Sequence, residues 1–592
     1  MLLFATAPGC GEPMDARDDN GASALEVAET EVVSEAPLAA TRVLAQDPPE
    51  VERLLVEPLP SGGNALLLAH MASGQNLPER FDLDLEEGRV TLRDDGQQGD
   101  ERARDGVFSA IIDRPEGLLE ESRSFVSNVV RVGPTGLDAL ATGRETFEGR
   151  SEVRASLGAF GANASILELS SDLREGRIPV VRPSITRVSV DEPRSLMITD
   201  LSVVENPART FNPCNGTGTP MGKWTFGHLM TQMANEPVTG VKPSEFVLQW
   251  LQQWSATQTV NGFPVPQRNA VDGVIARWPK RPDGSLDLAK APFRLLAIVN
   301  RVDLRENLVY GAGSAGEGRF VFSLLGEGCQ ENPPFTVIFE YGVRRTSCPG
   351  VKSWGNEWVK LSSLPLGSPA YLSALERITD QFARANAAPN KPNGSALNQV
   401  RTNEVAFGKP WELREFRIAA SGPRAHMLLQ APVAQTPDEE TINGGSVLAR
   451  FIDANAERIR ESKHVVPREF PAGRRFQGGA AATPDNLFWS APGVNDYELR
   501  KNFSLGTCNG CHAGETRTAF LHVVPTPFGK PAGLSAFLTG GPGGEGFVVA
   551  DPGGTGERTT FSDLDRRRQD LADLVGSSCL IEILRQPIRA PH

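Results

Sequence analysis

Leu295-Leu-Ala-Ile-Val-Asn300, followed by Gly318-Arg-Phe-Val-Phe-Ser-Leu-Leu325 and Phe335-Thr-Val-Ile-Phe-Glu-Tyr341, is the part of the chain that decides the fold. Each run is short, rich in β-branched and aromatic residues, and bounded by polar or glycine-rich segments, as expected of buried strands. Helical patterns lie on both sides. Lys242-Pro-Ser-Glu-Phe-Val-Leu-Gln-Trp-Leu-Gln-Gln-Trp254 puts Phe246, Trp250 and Trp254 on one stripe behind an early proline. Ser368-Pro369 opens a second helix running to Phe382, with serine as cap and proline in the first turn. Gly445 to Ile459 reads as a third. Strands interleaved with helices predict a mixed α/β (α+β) body over residues 136–482 of a multidomain chain.

Upstream, residues 50–135 read as all-β. Val51–Pro58 alternates loosely, Asn64–His70 is an apolar run, and Phe125–Val132 closes the unit. Short strands at this spacing suggest an immunoglobulin-like sandwich. Between them lies Val90-Thr-Leu-Arg-Asp94-Asp95-Gly96-Gln-Gln-Gly99-Asp100-Glu-Arg-Ala-Arg-Asp105-Gly106-Val-Phe-Ser109. This segment resembles the aspartate- and glycine-rich signature of bacterial extracellular β-sandwich modules of the choice-of-anchor type. Asp94, Asp95, Asp100 and Asp105 suit two roles: closing turns through Asx geometry, or collecting a calcium ion on a flexible loop.

The chain has 592 residues, of which 59 are Gly and 45 Pro, and a formal charge of −13. The length allows several domains, and the glycine and proline content implies many turns. An acidic chain without a basic run argues against nucleic acid as a partner. No stretch approaches the ~18 to 20 apolar residues of a membrane span. The opening, Met1-Leu-Leu-Phe-Ala-Thr-Ala-Pro-Gly-Cys10-Gly, is apolar and ends in small residues before a cysteine. It resembles the end of a bacterial lipoprotein signal, which implies that Cys10 is lipidated. No Lys or Arg precedes Arg17, as expected if the start lies further upstream. Residues 1–49 then make a signal remnant and an acidic, aromatic-poor tether, placing the body at the bacterial cell envelope, on the periplasmic face or the outer surface.

Residues 483–592 are expected to form a mainly helical and loop module. The module is built around Leu505-Gly-Thr-Cys508-Asn-Gly-Cys511-His512-Ala-Gly-Glu-Thr516. Two thiols about one turn apart can reach the two vinyl groups of one porphyrin edge, and the next imidazole then faces the iron. The pentad resembles the haem-attachment site of c-type cytochromes. The resemblance implies haem c, with Cys508 and Cys511 as thioether donors and His512 as proximal ligand. No Met follows residue 427, so a methionine from this module cannot be the second axial ligand; His522 is the candidate, with His426, His464 and His592 further off. Two other readings stay open: a small Cys508–Cys511 disulfide, or a metal site, although no second C-x-x-C supplies four ligands. Setting Cys10 aside, Cys214, Cys329, Cys348 and Cys579 remain as disulfide candidates. Cys329 with Cys348, across an apparent hairpin, and Cys214 with Cys579 are the expected pairs, although connectivity is not fixed by sequence.

The body offers little other chemistry. Gly311-Ala-Gly-Ser-Ala-Gly316 matches a phosphate-loop spacing but leads into a strand, not a helix, so it is expected to be a plain loop. Asn300, Arg301, Asp303 and Arg305 cluster where a strand ends, a place for functional side chains or for an ion-pair network. Two functions therefore stand. One is an exported, lipid-anchored haem protein for electron transfer or small redox chemistry, with a redox protein as partner. The other is a cell-surface binding or structural lipoprotein whose C-x-x-C is a disulfide staple and carries no haem.

Overall fold

A computed structural model describes residues 51–58, 64–71, 77, 80–85, 88–97, 100, 102–113 and 178–179. It then describes 188–577 apart from 306–313, 330–332, 346, 461–463 and 485–486, together with Cys579. Cys10, the tether, the expected strand at Phe125–Val132 and His592 lie outside the described residues.

The centre is an eight-stranded antiparallel sheet. Its strands are β7 (Met197–Ile198), β8 (Phe293–Arg301), β9 (Ser314–Leu324), β10 (Phe335–Arg344), β11 (Leu397–Glu404), β12 (Trp411–Ile418), β13 (Leu428–Ala431) and β14 (Ala481–Thr483). From β8 to β13 each strand pairs with its successor; β7 joins β8, and β14 pairs with β12. The three strands legible in the sequence are thus the middle of a meander, running two to four residues beyond the apolar runs that announce them.

One face of this sheet is the main core. Phe320 lies opposite Phe339 in register, and Phe322, Tyr341, Val400 and Phe416 continue the layer. Helices cover it. Pro243–Gln252 buries Phe246 and Trp250, with Trp254 just beyond its end, as the stripe predicts. Pro369–Ala383 is capped by Ser368, whose hydroxyl accepts from the Tyr371 amide. Cys348–Leu361 contributes Trp354 and Trp358, both fully buried. The expected helix at Gly445–Ile459 is two, Ser446–Ala454 and Ala456–Arg460.

At the edge of this core Glu404 is buried beside Arg414, and its Oε1 accepts from Trp254 Nε1 at 3.0 Å and Thr402 Oγ1 at 2.7 Å. Burial outweighs these partners and raises its pKa to about 7. The folded state therefore holds this proton where the unfolded chain has released it. Stability should be greatest below about pH 4.5 on this account and fall as pH rises toward 7. Urea midpoints for Glu404→Gln should lose that slope and exceed the parent's at pH 8; parallel pH profiles would refute the assignment.

The opposite face carries charge as well as apolar side chains. Arg319, Glu340, Arg401, Glu415 and Arg417 form a row across four neighbouring strands. The contacts are 2.9 Å from Arg319 to Glu340, 3.4 Å from Glu340 to Arg401, 2.9 Å from Arg401 to Glu415 and 2.6 Å from Glu415 to Arg417. All but Arg417 are shut off from solvent. What shuts them off is the C-terminal segment, which packs Leu521, Val523, Phe537, Leu538 and Leu564 against Val299, Val321 and Ile338. Residues 483–577 are accordingly the second cover of the sheet. They include short hairpins as well as helices: Phe547–Ala550 pairs with Arg558–Phe561, and the last helix begins at Asp563 and runs to Gly576.

The disulfides are Cys214–Cys329 and Cys348–Cys579, which corrects the expected pairing of Cys329 with Cys348 and of Cys214 with Cys579. Cys329 ends a turn after β9, whereas Cys348 starts a helix against which the C-terminal helix lies. Their thiols serve different layers.

At the N-terminal end, β1 (Val51–Pro58), β2 (Asn64–Met71), β3 (Arg80–Leu85), β4 (Gly88–Arg93), β5 (Val107–Asp113) and β6 (Ile178–Pro179) make one antiparallel sheet in the order β3-β4-β5-β2-β1-β6. A second sheet facing it is not among the described residues. The chain is thus multidomain-like and of mixed α/β content.

Candidate functional site

Cys508–His512 is a single helical turn set on the charged face of the sheet. Thr507 starts it: the threonine hydroxyl accepts from the Gly510 amide at 3.0 Å and from Trp489 Nε1 at 2.7 Å, and donates to the Ser504 carbonyl. Gly510 has no room for a side chain, since a Cβ there would stand 2.1 Å from the Ser504 carbonyl oxygen. The turn is tied to the body by the Cys508 amide, which donates to Thr436 Oγ1, and by Asn509, which donates to the Ala482 carbonyl on β14. The preceding helix, Tyr497–Leu505, is capped by Asp496.

The two cysteines are thiols, not a disulfide. Cys508 packs with Trp411, Leu413, Val433 and Ala481, and Cys511 with the Val321 and Ile338 layer. Burial pushes the Cys511 thiol well above its usual pKa, and the nearby Asp563 carboxylate adds to this. Nothing here makes it a nucleophile.

His512 is completely buried, and burial holds it neutral by lowering its pKa well below the usual value. Its Nδ1 lies 2.7 Å from the Phe520 carbonyl oxygen, which can only accept. The proton is therefore on Nδ1, and Nε2 presents a lone pair. That Nε2 is buried without a hydrogen-bond partner. Trp411 stacks on the ring at 5.2 Å and 16°.

His522 lies beside this group, its ring meeting that of His512 edge-on at 4.6 Å and 72°. Its Nε2 is 3.6 Å from Cys511 Sγ and its Nδ1 is 2.9 Å from Ser535 Oγ. Both nitrogens are engaged, and the rings are neighbours, not opposed across a gap. A role for His522 as second axial ligand does not follow from this placement. His464 lies against Phe503, and His426 bonds Asn393 on the other side of the body.

The strand-end cluster is an ion-pair network. Arg301 binds Asp303 through two bonds of 2.9 and 3.1 Å, Arg566 reaches Asp303 at 2.8 Å, and Arg305 pairs with Asp570. It fastens the helix Asp563–Gly576 over the sheet. The Gly311–Gly316 stretch enters β9 at Ser314, and a Cβ on Gly316 would stand 2.0 Å from the Arg301 carbonyl oxygen. Glycine is required there for strand packing.

In the N-terminal sheet, Asp94, Asp100 and Asp105 bring carboxylate oxygens within 4.8 Å of one another. Asp94 accepts from the amides of Arg104, Asp105 and Gly106, and Asp100 from those of Gly96 and Arg102. Asp95 serves the Gln97 amide instead. The Asp95–Gln97 and Asp100–Arg102 bonds are Asx turns, whereas those of Asp94 tie together the two ends of the loop.

Sequence reading missed Trp411, Phe520, Ser535 and Thr436, which surround the motif. Only Phe520, eight residues after His512, carried a local signal. Comparison with protein-family models, with curated proteins and with solved structures finds no match to this chain.

Proposed function

We propose that this chain carries one c-type haem, with Cys508 and Cys511 as thioether donors and His512 as the iron ligand, and that it serves electron transfer or small redox chemistry. The observation that carries this reading is the unpartnered Nε2 of His512. A buried polar atom left without a partner costs about 1–3 kcal/mol and calls for an explanation. Coordination to a metal supplies one, and fixing the far nitrogen by a backbone carbonyl is how a ligating histidine is oriented. The donor set fits: two reduced thiols one turn apart on a helix, with the imidazole next to them. When bound, haem supplies one-electron chemistry. The chain's own part is to hold His512 in one tautomer, keep water from the site and present a row of buried arginines and glutamates nearby. Because both thiols are fully enclosed, thioether formation has to precede closure of the C-terminal segment.

The same reading places the protein in the bacterial cell envelope, anchored by lipid on Cys10, with a redox protein as partner. The N-terminal sheet would belong to an immunoglobulin-like sandwich that spaces the body from the membrane, its aspartates closing the loop or holding calcium. Among the described residues no helix is long and apolar enough to cross a membrane. A second reading, a haem-free surface-binding or structural lipoprotein, is favoured by one observation: both cysteines pack in apolar clusters, as small core residues do.

Expression in a host with cytochrome c maturation machinery separates the two. The expected product is red, with a Soret band that stays with the chain after denaturation. Cys508→Ser with Cys511→Ser should abolish the colour entirely. An intact mass showing two unmodified thiols and no adduct would falsify the haem reading.

A further inference from the structure

His512 is braced from two directions, by Phe520 in the segment that follows it and by Trp411 on β12. Phe520 adopts a left-handed backbone conformation, φ 60°, which is sterically costly for a bulky side chain and persists only where surrounding structure enforces it. That conformation accompanies two contacts: the Phe520 carbonyl accepts from His512 Nδ1 at 2.7 Å, and the Phe520 ring stacks on Trp411 at 5.1 Å and 12°. Trp411 in turn stacks on the imidazole and is pinned by its Nε1, which donates to Asn403 Oδ1 at 2.6 Å on the neighbouring strand.

We infer that Phe520 and Trp411 are the positioning residues of His512: the Phe520 carbonyl selects the tautomer, and the Trp411 indole fixes the plane of the ring. Only the Nδ1–H tautomer leaves Nε2 as a donor toward a metal. A ring held in one plane by a stacked indole keeps one orientation about the bond that Nε2 makes. As a statement about iron, the inference rests on the haem reading; as a statement about the imidazole, it holds for the chain without haem.

The test is long-range nitrogen NMR on the full-length, haem-free, thiol-reduced chain labelled at histidine, with His512→Gln identifying the signal. The parent should show a single Nδ1–H tautomer for His512. Trp411→Phe, which keeps a stacking ring, should retain it. Trp411→Ala should turn it into a mixture of tautomers or an exchange-broadened signal. If Trp411→Ala does not fold, Phe520→Ala takes its place, since it keeps the carbonyl but removes the ring that holds Trp411; the expected result is again broadening. A spectrum unchanged from the parent in the folded variant overturns the inference. In protein that carries haem, the electron paramagnetic resonance signal of the ferric haem should shift in Trp411→Ala and return in Trp411→Phe. A colourless chain would defeat the haem reading alone and leave the nitrogen spectra to decide this one.

Discussion

Asp303→Asn should cost about 3–5 kcal/mol of stability, the range for removing one member of a buried ion pair. Asp303 sits among Arg301, Arg566 and Arg567, and the first and last of these are as buried as it is. These guanidinium groups overcome its burial and hold its carboxyl well below the usual range. Arg567 already gives up part of its proton affinity, its pKa lowered to about 10 by burial and by Arg301. Removing the carboxylate leaves these cations close together, with Asp563 beside Arg567 and Glu317 near Arg301 as buried counter-charges. Asp303 has a depressed folded pKa, so its contribution is full above about pH 4, where the unfolded carboxyl is also ionised, and is lost as pH falls through the folded value. Urea denaturation should therefore show a large drop in midpoint at pH 7 and a flatter acid limb for the variant. A loss below about 1 kcal/mol, the scale of surface pairs, would mean that the network does not hold the C-terminal helix.

Replacing Cys348 and Cys579 together by alanine should have a comparable effect. The bond joins residues separated by 231 positions. Cross-linking so long a loop restricts the unfolded chain by about 5 kcal/mol in the chain-entropy picture, and removal of native disulfides typically costs about 2–5 kcal/mol. The local structure says where the loss will be felt. Leu571 and Leu574 of the C-terminal helix join the main core, packing closely enough on Gly355 that a Cβ there would stand 3.1 Å from Leu574. Without the disulfide this helix should exchange its amides faster than the strands do. Equal loss of protection in the helix and in β9 to β11 would show that the bond acts on the whole fold and not on its cover.

Much of this architecture was legible, and the limits have physical causes. The strands at Leu295, Phe320 and Phe335 announce themselves because their cores are continuous apolar runs. Their ends do not, since Arg301, Glu317 and Arg319 look like solvent-facing residues and are buried. Charge is read as exposure unless partners are known, and Glu340, Arg401 and Glu415 come from other strands. The cysteine pairing failed for the same reason: proximity in sequence favoured Cys329 with Cys348, while the layers of the fold separated them. The C-x-x-C-H motif was visible because its five residues are contiguous. Trp411 was not, being an ordinary strand aromatic until the C-terminal segment folds back over it.

The row from Arg319 to Arg417 also bears on how the chain is made. A meander assembles from neighbours in sequence, so β8 to β13 can form while the cover, residues 483–577, is still unsynthesised or unattached. An apolar sheet face waiting in that state would invite association with other chains. Five alternating charges across its middle keep the waiting face wetted and repel a second copy from stacking there in register. The desolvation of those charges belongs to the closing of the cover, which the Arg301–Asp303–Arg566 clasp then holds in place. A face that is costly to bury at the end of folding is thereby safe to expose during it.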